Sequence, residues 1–185
     1  MIKKPSKLTL NHNSRVVFSI LNEGLLSSNS SYPLTKYILK NKIKFSNSQI
    51  DLRKFDRVFL VAIGKSAGAM TEFVSKKIDF NKGLVIVPVN VSPKLKKSTF
   101  DIINAGHPLP NRNSFKAGKT LVSFLNNTAK NDFVLFLISG GGSALSVLPN
   151  SISLRDKILV NQILIRSGAS INEIACIRKH LSLIK

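Results

Sequence analysis

The sequence predicts an α/β fold: a Rossmann-like three-layer sandwich with a mostly parallel sheet, preceded by N-terminal helices. Two observations carry that prediction. Short, continuously apolar runs, VFLVA at 58–62, LVIVPV at 84–89 and FVLFLI at 133–138, alternate with helical patterns, as βαβ units do. Within each run apolar and polar residues do not alternate, which suits parallel strands covered on both faces. At 185 residues the chain suffices for one domain with a real core and is too short for two large ones.

The elements follow in order. Ser14–Leu26 places Val16, Val17, Ile20, Leu21 and Leu25 at helical spacing. Pro33 at a helix start leads into LTKYILKNK, read as a second short helix. Residues 1–57 are thus expected to form a helical preface to the same domain, and 58–185 the α/β domain proper. After the first strand, Met70, Val74 and Ile78 recur every four residues. FDIIN at 100–104 is a further strand, entering the loop AGHPLPN, and NSFKAGKTLVSFLNN is the next helix. Ser153 with Asp156 opens a helix that stops at Gly168. Ser170 and Glu173 form a capping box for the last one, whose buried stripe is expected at Ile174, Ile177 and Leu181.

Composition narrows the function classes. Hydrophobic residues make up 43% and charged ones 20%, a globular balance. No apolar run approaches the roughly 18 residues that span a bilayer. The basic start, MIKKPSKLTLNHNS, lacks the apolar core and cleavage site of a signal peptide. Cys176 is the one cysteine, so a reducing cytoplasmic location is expected. The net charge of +19 would suit nucleic acid, but the motif-rich stretch 101–150 carries only four Lys/Arg against two Asp/Glu. Aromatics are 7% with no tryptophan, and no basic–aromatic stacking pattern appears, which argues against a nucleic-acid site. A lysine-rich solvated surface, or one that draws in anionic small molecules, remains.

Three loops fall at the carboxyl ends of the strands, where α/β sheets bind ligands: IGKSAG, NAGHPLPN and SGGGSAL. They are expected to converge on one crevice. Gly140, Gly141 and Gly142 would let main-chain N–H groups approach an anion, with Ser139 and Ser143 adding hydroxyls. Leu145 stands where a GxGxxG or GxSxG pattern needs glycine, so neither a dinucleotide fingerprint nor a nucleophile elbow is present. Phe59 likewise replaces the first glycine of a Walker A loop, leaving Gly64, Lys65 and Ser66 at the start of a helix on the lip of the sheet. His107, stiffened by two prolines, either bonds a ligand oxygen or ties its loop to a neighbour. Cys176 and His180, four residues apart, are only two ligands and make no zinc site.

The order GKSAGAM, NAGHPLPN, LISGGGSAL, SGASINEI and IRKHLSLIK resembles the N-terminal domain of the glycerate 2-kinase family, the class II glycerate kinases, over roughly 58–185. The resemblance implies ATP-dependent phosphorylation of D-glycerate at its 2-hydroxyl, giving 2-phosphoglycerate, with Mg2+. It implies that Lys65 is catalytic. It also implies that Gly64, Ser66, His107, Ser139, Gly140, Gly141, Gly142, Ser143, Arg178, Lys179 and His180 bind substrate or phosphate. The chain departs from the family at Asn111, where Asp is common, and at Ala175 and Cys176, where a polar pair is usual. Family members are about twice this long, a two-domain size, with a C-terminal (MOFRL-type) domain that would here be missing or a separate chain. A homo-oligomer is compatible with the sequence.

No carboxylate lies in the three loops, so no metal ligand is assigned, and the missing half is expected to supply magnesium ligands and base. The chain alone would then bind without catalysing. Two alternatives stay open: a sugar-phosphate isomerase-like domain, which also uses a glycine–serine loop after a parallel strand, and a non-catalytic anion-binding fragment of a split protein.

Overall fold

A computed structural model describes residues 11–185, so most of the basic N-terminal stretch lies outside the described residues. The chain opens with α1 (His12–Ser28) and the short strands β1 (Ile38–Leu39), β2 (Lys42–Phe45) and β3 (Ser48–Asp51). There follow β4 (Val58–Ile63), α2 (Ala67–Val74), β5 (Lys82–Pro88), β6 (Phe100–Ala105), α3 (Arg112–Asn126) and β7 (Phe133–Ile138). A single turn, α4 (Gly142–Leu145), precedes α5 (Leu154–Arg166) and α6 (Ile171–His180).

The main sheet has the order β6-β5-β4-β7, with every pairing parallel. The three layers are visible in how β4 and β5 divide their side chains. Leu60, Ala62, Val85 and Val87 face Ala67, Met70 and Val74 of α2 in one buried cluster. Val61, Ile63, Leu84 and Ile86 face Ala117 and Leu121 of α3 and Leu145 of α4 in another. Both faces are covered, and all six residues of β4 are buried. This is the α/β sandwich with a parallel sheet that the apolar runs predict. Each fully buried Leu, Ile or Val contributes roughly 1.5–3 kcal/mol, so these two clusters hold the loops at the strand ends in place.

The segment 33–45 differs from the expected second helix. Pro33–Lys36 forms one 3-10 turn, and the chain then enters a small antiparallel sheet, β1-β2-β3. The physical reason is period 2: Ile38 pairs with Ile43, and Ile43 with Ile50, so isoleucines stack on one face while lysines point out. Asn41 turns the first hairpin at φ 50°, a conformation asparagine tolerates. Ile38, Ile43 and Leu52 join the α2-side cluster, so this sheet packs on the same core. Helix α1 forms as its pattern predicts, with Asn11 accepting from the Ser14 N–H as its cap, yet its apolar stripe is exposed along its whole length.

Candidate functional site

The loop after β4 and the loop after β7 are laced together by main-chain bonds. Ser139 N–H donates to Ile63 O (2.9 Å), Lys65 N–H to Gly140 O (2.9 Å) and Ser66 N–H to Ser139 Oγ (3.0 Å). Gly64 sits at φ +132°, and a Cβ there would collide with Ser139, 2.6 Å from its carbonyl oxygen. Glycine is therefore required at position 64 by conformation and by space. One consequence changes the expected chemistry. The N–H groups of Lys65, Ser66 and Ala67 (the last to Gly64 O, 3.2 Å) are taken by protein acceptors. Lys65 reaches the site through its exposed side chain alone.

The triple glycine behaves differently. Gly141 takes φ +99°, and a Cβ there would lie 2.8 Å from His107 Cδ2, 3.0 Å from His107 Nε2 and 3.4 Å from Lys65 Cγ. One residue of each of the three loops thus meets at this point. Among the described residues, the N–H groups of Gly141, Gly142 and Ser143 donate to no main-chain or side-chain acceptor. They are unpaired amides at a strand end. The helix after them, α4, is one turn long and lends little dipole.

His107 is half-buried, and its loop is tied down behind it. Gly106 N–H donates to Asn111 Oδ1 and Ser114 Oγ, both at 3.1 Å, and Asn111 Oδ1 also accepts from Ser114 N–H (3.0 Å) to cap α3. The amide oxygen of Asn111 therefore serves as the helix cap, a role open equally to a carboxylate, without adding negative charge. The His107–Pro108 peptide is cis.

A cleft of about 330 Å³ opens beside this junction, lined by His107, Pro108, Gly141, Ser143, Ala144, Asn161, Ile165, Ile171, Ile174 and Arg178. Arg178 is half-buried and its Nε–H donates to Asn161 Oδ1 at 2.9 Å. A neighbouring hollow of about 590 Å³ shares Ser143 and Arg178 and adds Cys176, Lys179, His180 and Lys185. His180 Nδ1 lies 2.9 Å from the Cys176 carbonyl, which can only accept, so Nδ1 carries the proton and Nε2 is left for other partners. The structure therefore gathers His107, Gly141, Ser143 and Arg178 around one cleft, with Lys179 and His180 in the adjoining hollow, while Lys65 lies beside Gly141 and lines neither cavity. Ser66 and Ser139 sit behind them, bonded to each other. Ile177, expected in the buried stripe of α6, is 42% exposed, because Arg178 occupies the inward-facing edge.

Three residues escaped the sequence analysis. Lys157 is 1% exposed, and its Nζ donates to Arg178 O (3.2 Å) and Leu181 O (2.9 Å). Burial, then the neighbouring Arg178, pulls its pKa down. Lys185 donates from Nζ to Ser143 O at 3.2 Å, and desolvation of the ammonium, with Lys157 and Arg178 nearby, lowers its pKa to about 8. Asn161 is buried as well. The missed signal was the i, i+4, i+7 stripe 157–161–164 of α5, whose first two members are polar.

The acids stand elsewhere. Asp132 pairs with Arg57 (2.7 Å), Asp51 with Arg53 (2.6 Å), and Asp156 and Glu173 close the capping boxes of α5 and α6. Neither cavity has Asp or Glu in its lining. Among the described residues, no group of three His, Cys, Asp or Glu could hold a metal ion, and no helix is long and apolar enough to cross a membrane.

Residues 17–185 match the family model described as "Domain of unknown function (DUF4147)". The chain is 38% identical over 151 residues to a glycerate 2-kinase of Pyrococcus horikoshii, covering 78% of this chain and 34% of that one. A solved protein of Pyrococcus horikoshii superposes with a TM-score of 0.84 at 30% identity, over 96% of this chain and 41% of that one. A solved glycerate kinase of Thermotoga maritima gives 0.73 at 34% identity, over 92% and 39%. The chain spans about a third of the length of the curated relative it matches. With its parallel sheet, its three meeting loops and a family match over nearly its whole length, this chain belongs to the DUF4147 family and is similar to glycerate 2-kinases.

Proposed function

We propose that this chain forms the anion-binding part of a kinase that phosphorylates D-glycerate at its 2-hydroxyl, using ATP. The observation that carries this is the meeting of Lys65 and His107 at Gly141, beside a cleft lined by His107, Gly141 and Arg178 and free of acid side chains. Phosphoryl transfer needs positive groups on oxygens that carry charge and firm placement of the nucleophile. The free amides of Gly141, Gly142 and Ser143 would accept a carboxylate or phosphate oxygen. The Lys65 ammonium would lie over the group that gathers charge in transfer, and the His107 ring would donate to a substrate oxygen. Arg178 and Lys179 hold the opposite side, and the hydroxyl of Ser143 orients the bound oxygen.

Mg2+, when bound, would supply positive charge that neutralises the phosphate groups. It favours carboxylate ligands, and this cleft has none in its lining. The residues here therefore do not fit a magnesium site, and no step is assigned to the metal in this chain. Metal ligands and the base are proposed to come from the remaining part of the complete enzyme, in the same or a separate polypeptide.

The experiment is an assay of the purified 185-residue chain with ATP, magnesium and D-glycerate, alongside calorimetric titration of 2-phosphoglycerate. The proposal expects saturable binding and no product. Substantial 2-phosphoglycerate formed by the chain alone would show that the catalytic set is already complete within it. Isomerisation of a ketose phosphate, without ATP, would replace the kinase assignment.

A further inference from the structure

We infer that Lys157 and Asn161 are positioning residues that hold Arg178 in the cleft wall, so that its guanidinium faces the cleft with its charge unneutralised. This rests on the cleft being an anion site, although the hold itself is visible without any ligand.

The two residues are four apart on α5 and so share one face of the helix. Each grips a different part of the same arginine. Lys157 Nζ takes the main-chain carbonyl of Arg178 (3.2 Å) and that of Leu181 (2.9 Å), at the end of α6. Asn161 Oδ1 takes the Nε–H of the Arg178 side chain (2.9 Å). The Asn161 bond restrains the side chain's rotamers, and the Lys157 bonds fix the helix end from which it springs. With Nε engaged, the two terminal nitrogens keep their donors for the cleft and the hollow, both of which Arg178 lines.

The residue types matter as much as the spacing. A buried ammonium normally sits beside a carboxylate. Lys157 is 1% exposed, and carbonyls are the acceptors that meet it. Leucine would fill that stripe position without bringing a cation next to Arg178 and Lys185. Those carbonyls end α6, where the dipole favours a cation, which offsets the burial of this one. Asn161 obeys the same logic. Aspartate would hold the guanidinium more tightly and cancel its charge, whereas the amide holds it and leaves the charge for an incoming anion.

The test has two arms, both on the 185-residue chain. In the first, the Nε–H signal of Arg178 is followed by arginine side-chain NMR without ligand, identified by its loss in Arg178→Lys. Wild type should exchange slowly with solvent, and Asn161→Ala and Lys157→Met should each speed exchange by about 10-fold or more. In the second, 2-phosphoglycerate is titrated into Asn161→Asp, which should keep slow exchange yet bind about 10-fold more weakly. Unchanged exchange in folded Asn161→Ala, or undiminished affinity in Asn161→Asp, overturns the inference. Should Lys157→Met fail to fold, Asn161→Ala decides alone. Wild type that binds no 2-phosphoglycerate defeats the proposed function, and the exchange arm still decides the hold.

Discussion

A methyl group added to Gly141 would stand 2.8 Å from the ring of His107, so these two residues touch across the mouth of the cleft with no room for a side chain between them. The two come from different loops, one after β7 and one after β6. Their contact is what makes a single site out of separate strand ends.

That contact predicts unequal glycines. Gly141→Ala must bear a left-handed φ and displace His107, and should lose about 1–3 kcal/mol in urea unfolding. Gly140→Ala meets nothing within 4 Å and has no such φ, so its unfolding should stay within about 0.5 kcal/mol of wild type. Equal losses would mean that His107 does not sit where it is placed here.

One of the three bonds that lace the loops after β4 and β7 is accepted by a hydroxyl. Ser139→Ala leaves the Ser66 N–H without its acceptor (3.0 Å in wild type) and should cost about 1–2 kcal/mol by the same measurement. Amide exchange at Ser66 should quicken with it.

The pairing of Arg57 with Asp132 joins the approach to β4 to the approach to β7. The Arg57 guanidinium, then the Ala129 N–H, holds the Asp132 carboxyl below its ordinary pKa. A lowered carboxylate pKa stabilises the fold above the unfolded-state value, and that contribution disappears as pH falls through the folded-state value. Asp132→Asn should therefore be less stable than wild type at pH 7, and the gap should close in acid. A constant gap from pH 7 to pH 2 would contradict the assignment.

Lys185 titrates the other way. Its pKa is depressed to about 8, so between there and the ordinary lysine value the folded chain binds fewer protons than the unfolded one. Stability from this group accordingly rises as pH climbs through that window. Anion affinity should move oppositely, because the ammonium beside Ser143 is lost. Wild type should bind 2-phosphoglycerate more weakly at pH 9 than at pH 7, and Lys185→Met should show a flatter profile.

Much of this was legible in the sequence, and the exceptions have causes. The strand at 58–63 is uniformly apolar because both its faces are covered, and that signal needs no tertiary information, whereas the equally apolar run 133–138 is an edge strand that leaves Phe136 and Ile138 exposed. The meeting of Lys65 with Gly141 was foreseeable because parallel strands deliver their following loops to one edge. The segment 34–42 was misread because LTKYILKNK has helical former residues, while the isoleucine pairing that makes it part of a sheet extends beyond that window. The use of the Ser66 amide was hidden because it depends on an acceptor 73 residues away. Lys157 escaped because a lysine in a basic chain reads as solvated surface, and only the packing of α5 on α6 shows its ammonium among carbonyls.

Calorimetric titration of 2-phosphoglycerate into the wild-type chain and Lys65→Met is the most direct check on whether the three loops grip an anion. Saturable binding by wild type, weakened about 10-fold or more in a Lys65→Met protein of unchanged fold, is the expected result. Equal affinity in the two proteins, or no binding by wild type, would contradict it.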